Sequence, residues 1–271
     1  MTTLINGSPS DTISVTDRGL LYGDGVFRTF ALKNILINQW HRHYAKLVHD
    51  CHAINLPCPS GSLLQSEIAS LTQNTPSAAI KITITRGMSQ RGYTPAASPQ
   101  VTRIISVSPL PDYPELFYQA GVRVHLCQLR LGHQPRLAGI KHLNRLENVM
   151  AAAEWSDPDI AEGILLDQSG NVIEGVRSNL FMLKQGVLFT PDLTQCGVAG
   201  VQRERIIAWA EQQGIVCKIQ EISLEQLQQA EEIFLVNSII GLWPVREMPG
   251  YQCNYHPMAH AIKAWLDNEI L

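Results

Sequence analysis

A lysine set among apolar residues, where the local pattern changes, is the first feature of this chain suited to covalent chemistry. In Leu137-Ala-Gly-Ile-Lys141-His-Leu-Asn-Arg145-Leu-Glu-Asn148 the amine is flanked by Ile140 and Leu143. Apolar neighbours strip solvation from an ammonium group, lower its pKa and give access to a neutral, nucleophilic amine. Such an amine can form a Schiff base with an aldehyde. The same residues also describe a lysine that lays its stem on apolar surface and keeps its head group wet. Glu174 closes the apolar pair Val172-Ile173 and precedes Gly175, which leaves room for a flat group near the backbone. Its carboxylate could hold a protonated heterocyclic nitrogen, or stand solvated in a hairpin. Gly197-Val-Ala-Gly200 precedes a helical pattern, where backbone N–H groups and the positive end of the helix dipole favour a phosphate. A plain tight turn has the same spelling. Asn237-Ser238 follows an apolar run and either adds phosphate contacts or forms a turn.

The elements that must position these groups can be read from periodicity. Arg130 to Arg136 is irregular and contains a proline, whereas Leu143, Leu146, Val149 and Met150 recur at helix spacing, so Lys141 is expected where a loop enters a helix. Ahead of it, Leu4 to Asn6 and Thr12 to Val15 read as short strands. The glycine-punctuated loop Asp17-Arg-Gly-Leu-Leu-Tyr-Gly23-Asp24-Gly25 leads into a strand pair, Val26 to Leu32 and Ile35 to Trp40. Helices are expected over His41 to Ile54 and Leu63 to Leu71, and strands over Ala79 to Arg86 and Val101 to Ser108. After the Pro-rich Pro109-Leu-Pro-Asp-Tyr-Pro114, the pattern gives a strand (Val122 to Leu129), the lysine segment and two hairpins (Gly163 to Gly175, Asn179 to Thr190). A helix (Val201 to Gln213), a strand (Ile215 to Ile219), a short helix (Leu224 to Gln229), a strand (Ile233 to Val236) and a closing helix (Pro257 to Leu266) complete it. The expectation is an α+β protein with a smaller N-terminal domain, residues 1–110, a linker, 111–118, and a larger C-terminal domain, 119–271. Hairpins mixed with helices argue against a regular βαβ winding and a Rossmann-type dinucleotide site.

Composition narrows the function classes. With 45% hydrophobic residues in 271 the chain can bury a core, and 21 basic against 24 acidic residues give a net charge of -3, with no bulk attraction to nucleic acid or a membrane. No apolar run approaches the ~18 residues needed to span a bilayer, and the start Met-Thr-Thr-Leu-Ile-Asn-Gly has no signal character, so a cytoplasmic protein is expected. Six scattered cysteines without a Cys-x-x-Cys pair read as reduced thiols, not as a disulfide frame or a metal site. The glycine pattern is neither Gly-x-x-x-x-Gly-Lys-Ser/Thr nor Gly-x-Gly-x-x-Gly.

A basic amine, a strand-end carboxylate and a glycine-led helix start are the groups a pyridoxal phosphate cofactor requires. With Asp17-Arg-Gly-Leu-Leu-Tyr-Gly-Asp-Gly25, Gln90-Arg-Gly-Tyr93, Leu137 to Glu147, Glu174-Gly-Val-Arg-Ser-Asn-Leu-Phe181 and Gly197-Val-Ala-Gly200 in this order, the chain resembles the fold-type IV pyridoxal phosphate enzymes, the class IV aminotransferase family. The resemblance implies their two-domain, D-amino acid aminotransferase-like fold and a homodimer. By it Lys141 would carry the covalent link to pyridoxal 5'-phosphate, Glu174 would pair with the pyridine nitrogen, and Val201, Gln202 and Ser238 would hold the phosphate. The family places an arginine in a His-x-x-Arg-Leu stretch; here His43-Tyr-Ala-Lys46-Leu47 puts Lys46 there, a point charge in place of a bidentate fork. Aminotransferases of the family commonly carry a glutamate directly after Gly-x-x-Val-Phe, whereas this chain reads Phe27-Arg28-Thr29. Thr29 and the Ile-Lys-His-Leu-Asn-Arg-Leu-Glu run resemble the pyruvate-releasing lyases of the family, which implies aminodeoxychorismate as the small-molecule substrate and Thr29 as a proton relay. Thr29 is equally a β-branched strand residue chosen for packing. Two carboxylates on that substrate call for cations: Arg91 with Tyr93 first, then Arg28 and Arg145. A branched-chain or D-amino acid aminotransferase and a non-catalytic cofactor-binding scaffold stay open on sequence alone.

Overall fold

The computed structural model describes residues 2–269; positions 1, 270 and 271, which fall within the two expected domains, lie outside the described residues. The chain divides into two compact units, Met1–Pro111 with Ile140–Asn144, and Asp112–Gly139 with Arg145–Ile270.

Unit 1 contains β1 (Thr2–Ile5), β2 (Ser8–Pro9), α1 (Arg18–Tyr22), β3 (Gly25–Lys33), β4 (Leu36–Ile37), α2 (Trp40–Ala53), α3 (Gly61–Thr72), β5 (Ala78–Thr85) and β6 (Thr102–Ser108). The strands form one antiparallel sheet in the order β2-β1-β6-β5-β3-β4. Strict alternation puts Ile80, Ile82 and Ile84 of β5 and Val26 and Phe30 of β3 on one face, where Leu47 and Cys51 of α2 and Leu64 and Ile68 of α3 cover them. Each of these side chains contributes about 1.5–3 kcal/mol by leaving water. The other face of β3 carries Phe27 and Thr29, both half-buried. Residues 12–15 form no strand, and β4 is only two residues long because the chain turns through positive φ at Asn34 and Ile35 and enters α2 from Gln39, also at positive φ.

Unit 2 contains α4 (Glu115–Gln119), β7 (Val122–Leu131), α5 (Leu146–Ala152), β8 (Ile160–Asp167), β9 (Val172–Gly175), β10 (Asn179–Lys184), β11 (Val187–Pro191), α6 (Val201–Gln212), β12 (Cys217–Gln220), α7 (Leu224–Gln228), β13 (Glu232–Asn237), β14 (Gly241–Met248), β15 (Tyr251–Gln252) and α8 (Pro257–Asn268). Its mixed sheet runs β12-β11-β10-β13-β14-β7-β8-β9, with β15 on β14. Three pairs are parallel: β11 with β12, β14 with β7, and β7 with β8. β14, for which the sequence pattern gives no signal, joins the two halves of this sheet despite Pro244, and its ladder with β7 is irregular beyond Val245. Trp243 on β14 receives the rings of Tyr113, Phe117 and Tyr118 at 4.8, 5.4 and 6.3 Å, so the stretch expected as a linker contains a helix, α4, seated on this tryptophan. Among the described residues no helix is long and apolar enough to cross a membrane.

Candidate active site

The lysine does not sit at a loop-to-helix junction. Ile140–Asn144 runs extended along β3: Phe27 N–H donates to Lys141 O at 3.0 Å, Leu143 N–H to Gly25 O at 3.0 Å, and Val26 bridges His142. The helix begins only at Leu146. Its row Leu146, Val149 and Met150 is 69, 63 and 56% exposed in the chain. Backbone pairing and a buried acid fix the lysine instead. Asp50, on the covered side of α2, accepts the Lys141 N–H at 3.1 Å and ion-pairs with Arg28. Lys141 Nζ stands 4.6 Å from the centroid of Phe27, on the strand face that also presents Thr29, whose register partner is Lys81. A cation at that distance from a ring is held by about 0.5–1 kcal/mol.

Arg28 is therefore placed inside unit 1, 3% exposed and spent on Asp50. Lys46 is half-buried on α2, one turn before Asp50, and shares that helix face with His43, whose ring packs on Phe30 at 4.9 Å. Arg91 and Tyr93 lie on the exposed loop between β5 and β6, with the Tyr93 ring tilted on Tyr22 at 5.3 Å. Near this loop Asp24 accepts Nε–H from Arg18 at 2.8 Å and from Arg86 at 2.8 and 3.0 Å. Burial pushes the Asp24 pKa up, but the bonds and charge of Arg86 and Arg18 outweigh it, leaving the carboxyl below its ordinary 3.8. A depressed carboxyl stabilises the fold above its unfolded pKa and loses that contribution as pH falls through the folded value. Asp24→Asn is accordingly expected to destabilise the protein by about 3 kcal/mol at neutral pH. In urea titrations across pH the gap to wild type should close below pH ~4.

In unit 2, Glu174 on β9 is 4% exposed and its Oε2 accepts the Val198 N–H at 2.9 Å. The turn bearing Val198 is braced twice. Asn179 donates Nδ2–H to Val198 O at 2.7 Å and accepts the Gly200 N–H at 3.0 Å. Gly139 donates to Gly197 O at 2.9 Å and accepts from Ala199 at 3.0 Å. Gly200 caps α6 without a side-chain bond, which leaves the Val201 and Gln202 N–H groups at the positive end of a twelve-residue helix. Buried Arg203 pins that helix through Thr190 Oγ1 at 3.1 Å and Pro191 O at 2.9 Å. Ser238 is half-buried in the turn after β13, which Asn237 builds by accepting from Ile239 and Ile240. Arg145 is half-buried at the start of α5, its guanidinium 3.4 Å from Asn148 Oδ1.

Residues 25–248 match the family model described as Amino-transferase class IV. The chain belongs to this family. An aminodeoxychorismate lyase of Vibrio harveyi is 34% identical over 241 residues, covering 89% of each chain. A putative branched-chain-amino-acid aminotransferase of Methanocaldococcus jannaschii is 29% identical over 89% of this chain and 84% of its own. Among solved structures, 4-amino-4-deoxychorismate lyase from Pseudomonas aeruginosa superimposes with a TM-score of 0.94 at 41% identity, covering 99% of this chain and all of that one. Escherichia coli branched-chain amino acid aminotransferase gives 0.89 at 25% identity, over 99% and 94%.

The residues present fit the cofactor of a class IV enzyme: a buried carboxylate to accept from a protonated ring nitrogen, uncapped helix N–H groups for a phosphate dianion, and an amine on a fixed backbone. Gly197 is required by shape, since at φ +84 a Cβ would stand 2.7 Å from Ile173 Cγ2 and 2.9 Å from Leu193 Cδ2. Gly197→Ala is expected to cost about 1–3 kcal/mol of stability and to weaken pyridoxal phosphate retention, read by equilibrium dialysis against the vitamer. Sequence reasoning missed Asp50 and Asn179. An acid on the apolar face of α2, between Leu47 and Cys51, was the available signal for the first; Asn179 stands directly before the apolar run Leu180 to Leu183, the signal for the second.

Proposed function

We propose that the protein is a pyridoxal phosphate-dependent lyase that splits 4-amino-4-deoxychorismate into 4-aminobenzoate and pyruvate. The observation that carries this reading is the mount of Lys141, backbone-paired to β3 beside Phe27 and Thr29, with Asp50 fixing its N–H. The likeness to two lyases over nearly the whole chain supports it.

Bound pyridoxal phosphate supplies an electron sink for the carbon that bears the substrate amine. Lys141 Nζ would hold the cofactor aldehyde and, as a neutral amine, would take the proton from that carbon. Glu174 keeps a proton on the ring nitrogen, and its bond from Val198 aims the carboxylate. The Val201 and Gln202 N–H groups and the Ser238 hydroxyl hold the phosphate, with Lys46 adding charge. The Thr29 hydroxyl relays the proton now held on Lys141 to the methylene of the enolpyruvyl group as the carbon–oxygen bond joining that group to the ring breaks, so that pyruvate leaves, the ring becomes aromatic and both side chains return to their starting forms. Arg91, Tyr93 and Arg145 meet the substrate carboxylates, whereas Arg28 serves by holding Asp50.

Incubation of the loaded protein with aminodeoxychorismate and no oxo acid tests the reading: 4-aminobenzoate and pyruvate should appear in equal amounts. Product that forms only when a 2-oxo acid is added would replace it with an aminotransferase. The exposed row Leu146, Val149 and Met150 supports a homodimer, to be checked by sedimentation equilibrium.

A further inference from the structure

The stretch Asp17 to Gly25 has no task in the chemistry above, yet it holds a buried guanidinium engaged at every nitrogen. Arg18 is 4% exposed. Its Nε–H is given to Asp24 Oδ2 at 2.8 Å, and its two Nη groups turn to one loop: Gly92 O at 2.9 Å, Ser89 Oγ at 3.2 Å and Tyr93 O at 2.7 Å. Tyr22, one turn on, adds its hydroxyl as acceptor for the Gly92 N–H at 3.3 Å and its ring as a support for Tyr93.

The post is rigid. Asp17, 1% exposed, caps α1 by accepting the Gly19 N–H at 2.8 Å and takes the hydroxyls of Thr85 and Thr102 at 3.0 and 2.6 Å. Arg18 N–H donates to Gly87 O at 2.9 Å, and a Cβ on Gly19 would lie 2.3 Å from Thr85 Cγ2. The loop itself has little of its own: Gly92 stands at φ +116 with open space where a Cβ would be, and Tyr93 is 85% exposed.

We propose that Arg18 is a positioning residue for substrate binding, the clamp that fixes the backbone of Gln90 to Tyr93 and so aims the Arg91 and Tyr93 side chains at a substrate carboxylate. The inference rests on the reading of that loop given under the proposed function. Arg18 touches the loop chiefly through main-chain oxygens, so its effect falls on binding geometry and leaves proton transfer at Lys141 alone.

The test compares wild type, Arg18→Lys, Arg18→Met and Tyr22→Phe, all loaded with pyridoxal phosphate, by amide hydrogen exchange and by steady-state kinetics with aminodeoxychorismate. Arg18→Met should speed exchange across residues 88–98 and raise KM about tenfold, with kcat changed by less than about threefold. Arg18→Lys keeps charge but not the fork and should fall between, and Tyr22→Phe should loosen Gly92 with a smaller rise in KM. Unchanged loop exchange in Arg18→Met overturns the clamp, as does a fall in kcat with KM unmoved. If Arg18→Met fails to fold, Arg18→Lys decides on the same two readouts. A wild type that makes no 4-aminobenzoate defeats the lyase reading alone, since loop exchange still decides whether Arg18 holds the loop.

Discussion

Lys141→Ala is expected to lower 4-aminobenzoate formation by at least about 10³-fold, because one substitution removes both the amine that binds the cofactor aldehyde and the base that takes the substrate proton. The fold should survive. The bonds that seat this segment, Phe27 N–H to Lys141 O and Lys141 N–H to Asp50, belong to the backbone and persist in alanine. Stability should therefore change by less than about 1 kcal/mol. Borohydride treatment of the loaded protein followed by peptide mass analysis checks the covalent part directly. Wild type should gain the mass of reduced cofactor on the peptide containing Lys141, and the variant should gain none. A variant that still makes product at a tenth of the wild-type rate would remove Lys141 from the chemistry.

Glu174→Gln should cost about 10²-fold or more in kcat with the fold intact. The amide oxygen can still accept the Val198 N–H that the carboxylate accepts at 2.9 Å, so the turn keeps its shape. What disappears is the negative charge that keeps a proton on the ring nitrogen, and with it the cofactor's capacity to draw electrons. Glu174→Ala separates this effect from a structural one. It leaves the Val198 N–H without its partner, at a further cost of about 1–3 kcal/mol in stability. Equal rates for the glutamine variant and wild type, at saturating pyridoxal phosphate, would show that this carboxylate does not govern the ring.

Periodicity was a sound guide where one face of an element is covered and the other is wet. The α2 spacing of Tyr44, Leu47, Val48, Cys51 and Ile54 and the alternation of Ile80, Ile82 and Ile84 both led to the elements observed, with Val48 alone of that helix row left exposed. It misled at Leu143, which shares helix spacing with Leu146, Val149 and Met150 but gives its N–H to Gly25 O on β3, so the helix starts only at Leu146 and Lys141 lies in an extended segment. β14 escaped notice because Gly241 and Pro244 read as breakers. Thr12 to Val15 has strand-like residues but joins no ladder, because β1 already has β2 and β6 on its two sides. Of the candidate site, residue types in a fixed order were legible: the amine, the strand-end acid and the glycine turn. The braces were not, because Asp50, Asn179 and Arg18 act through contacts between segments distant in sequence.

The excursion of Ile140–Asn144 into unit 1 bears on how the chain can be born. A ribosome that has released only residues up to Pro111 has delivered an N-terminal sheet whose β3 still lacks its final pairing and whose Arg28 and Asp50 face each other without the Lys141 N–H. Cutting the gene between the two compact units would sever the same stitch. Neither half expressed by itself should mature; mixing the two fragments would have to restore the missing five residues to β3 before any cofactor could be captured.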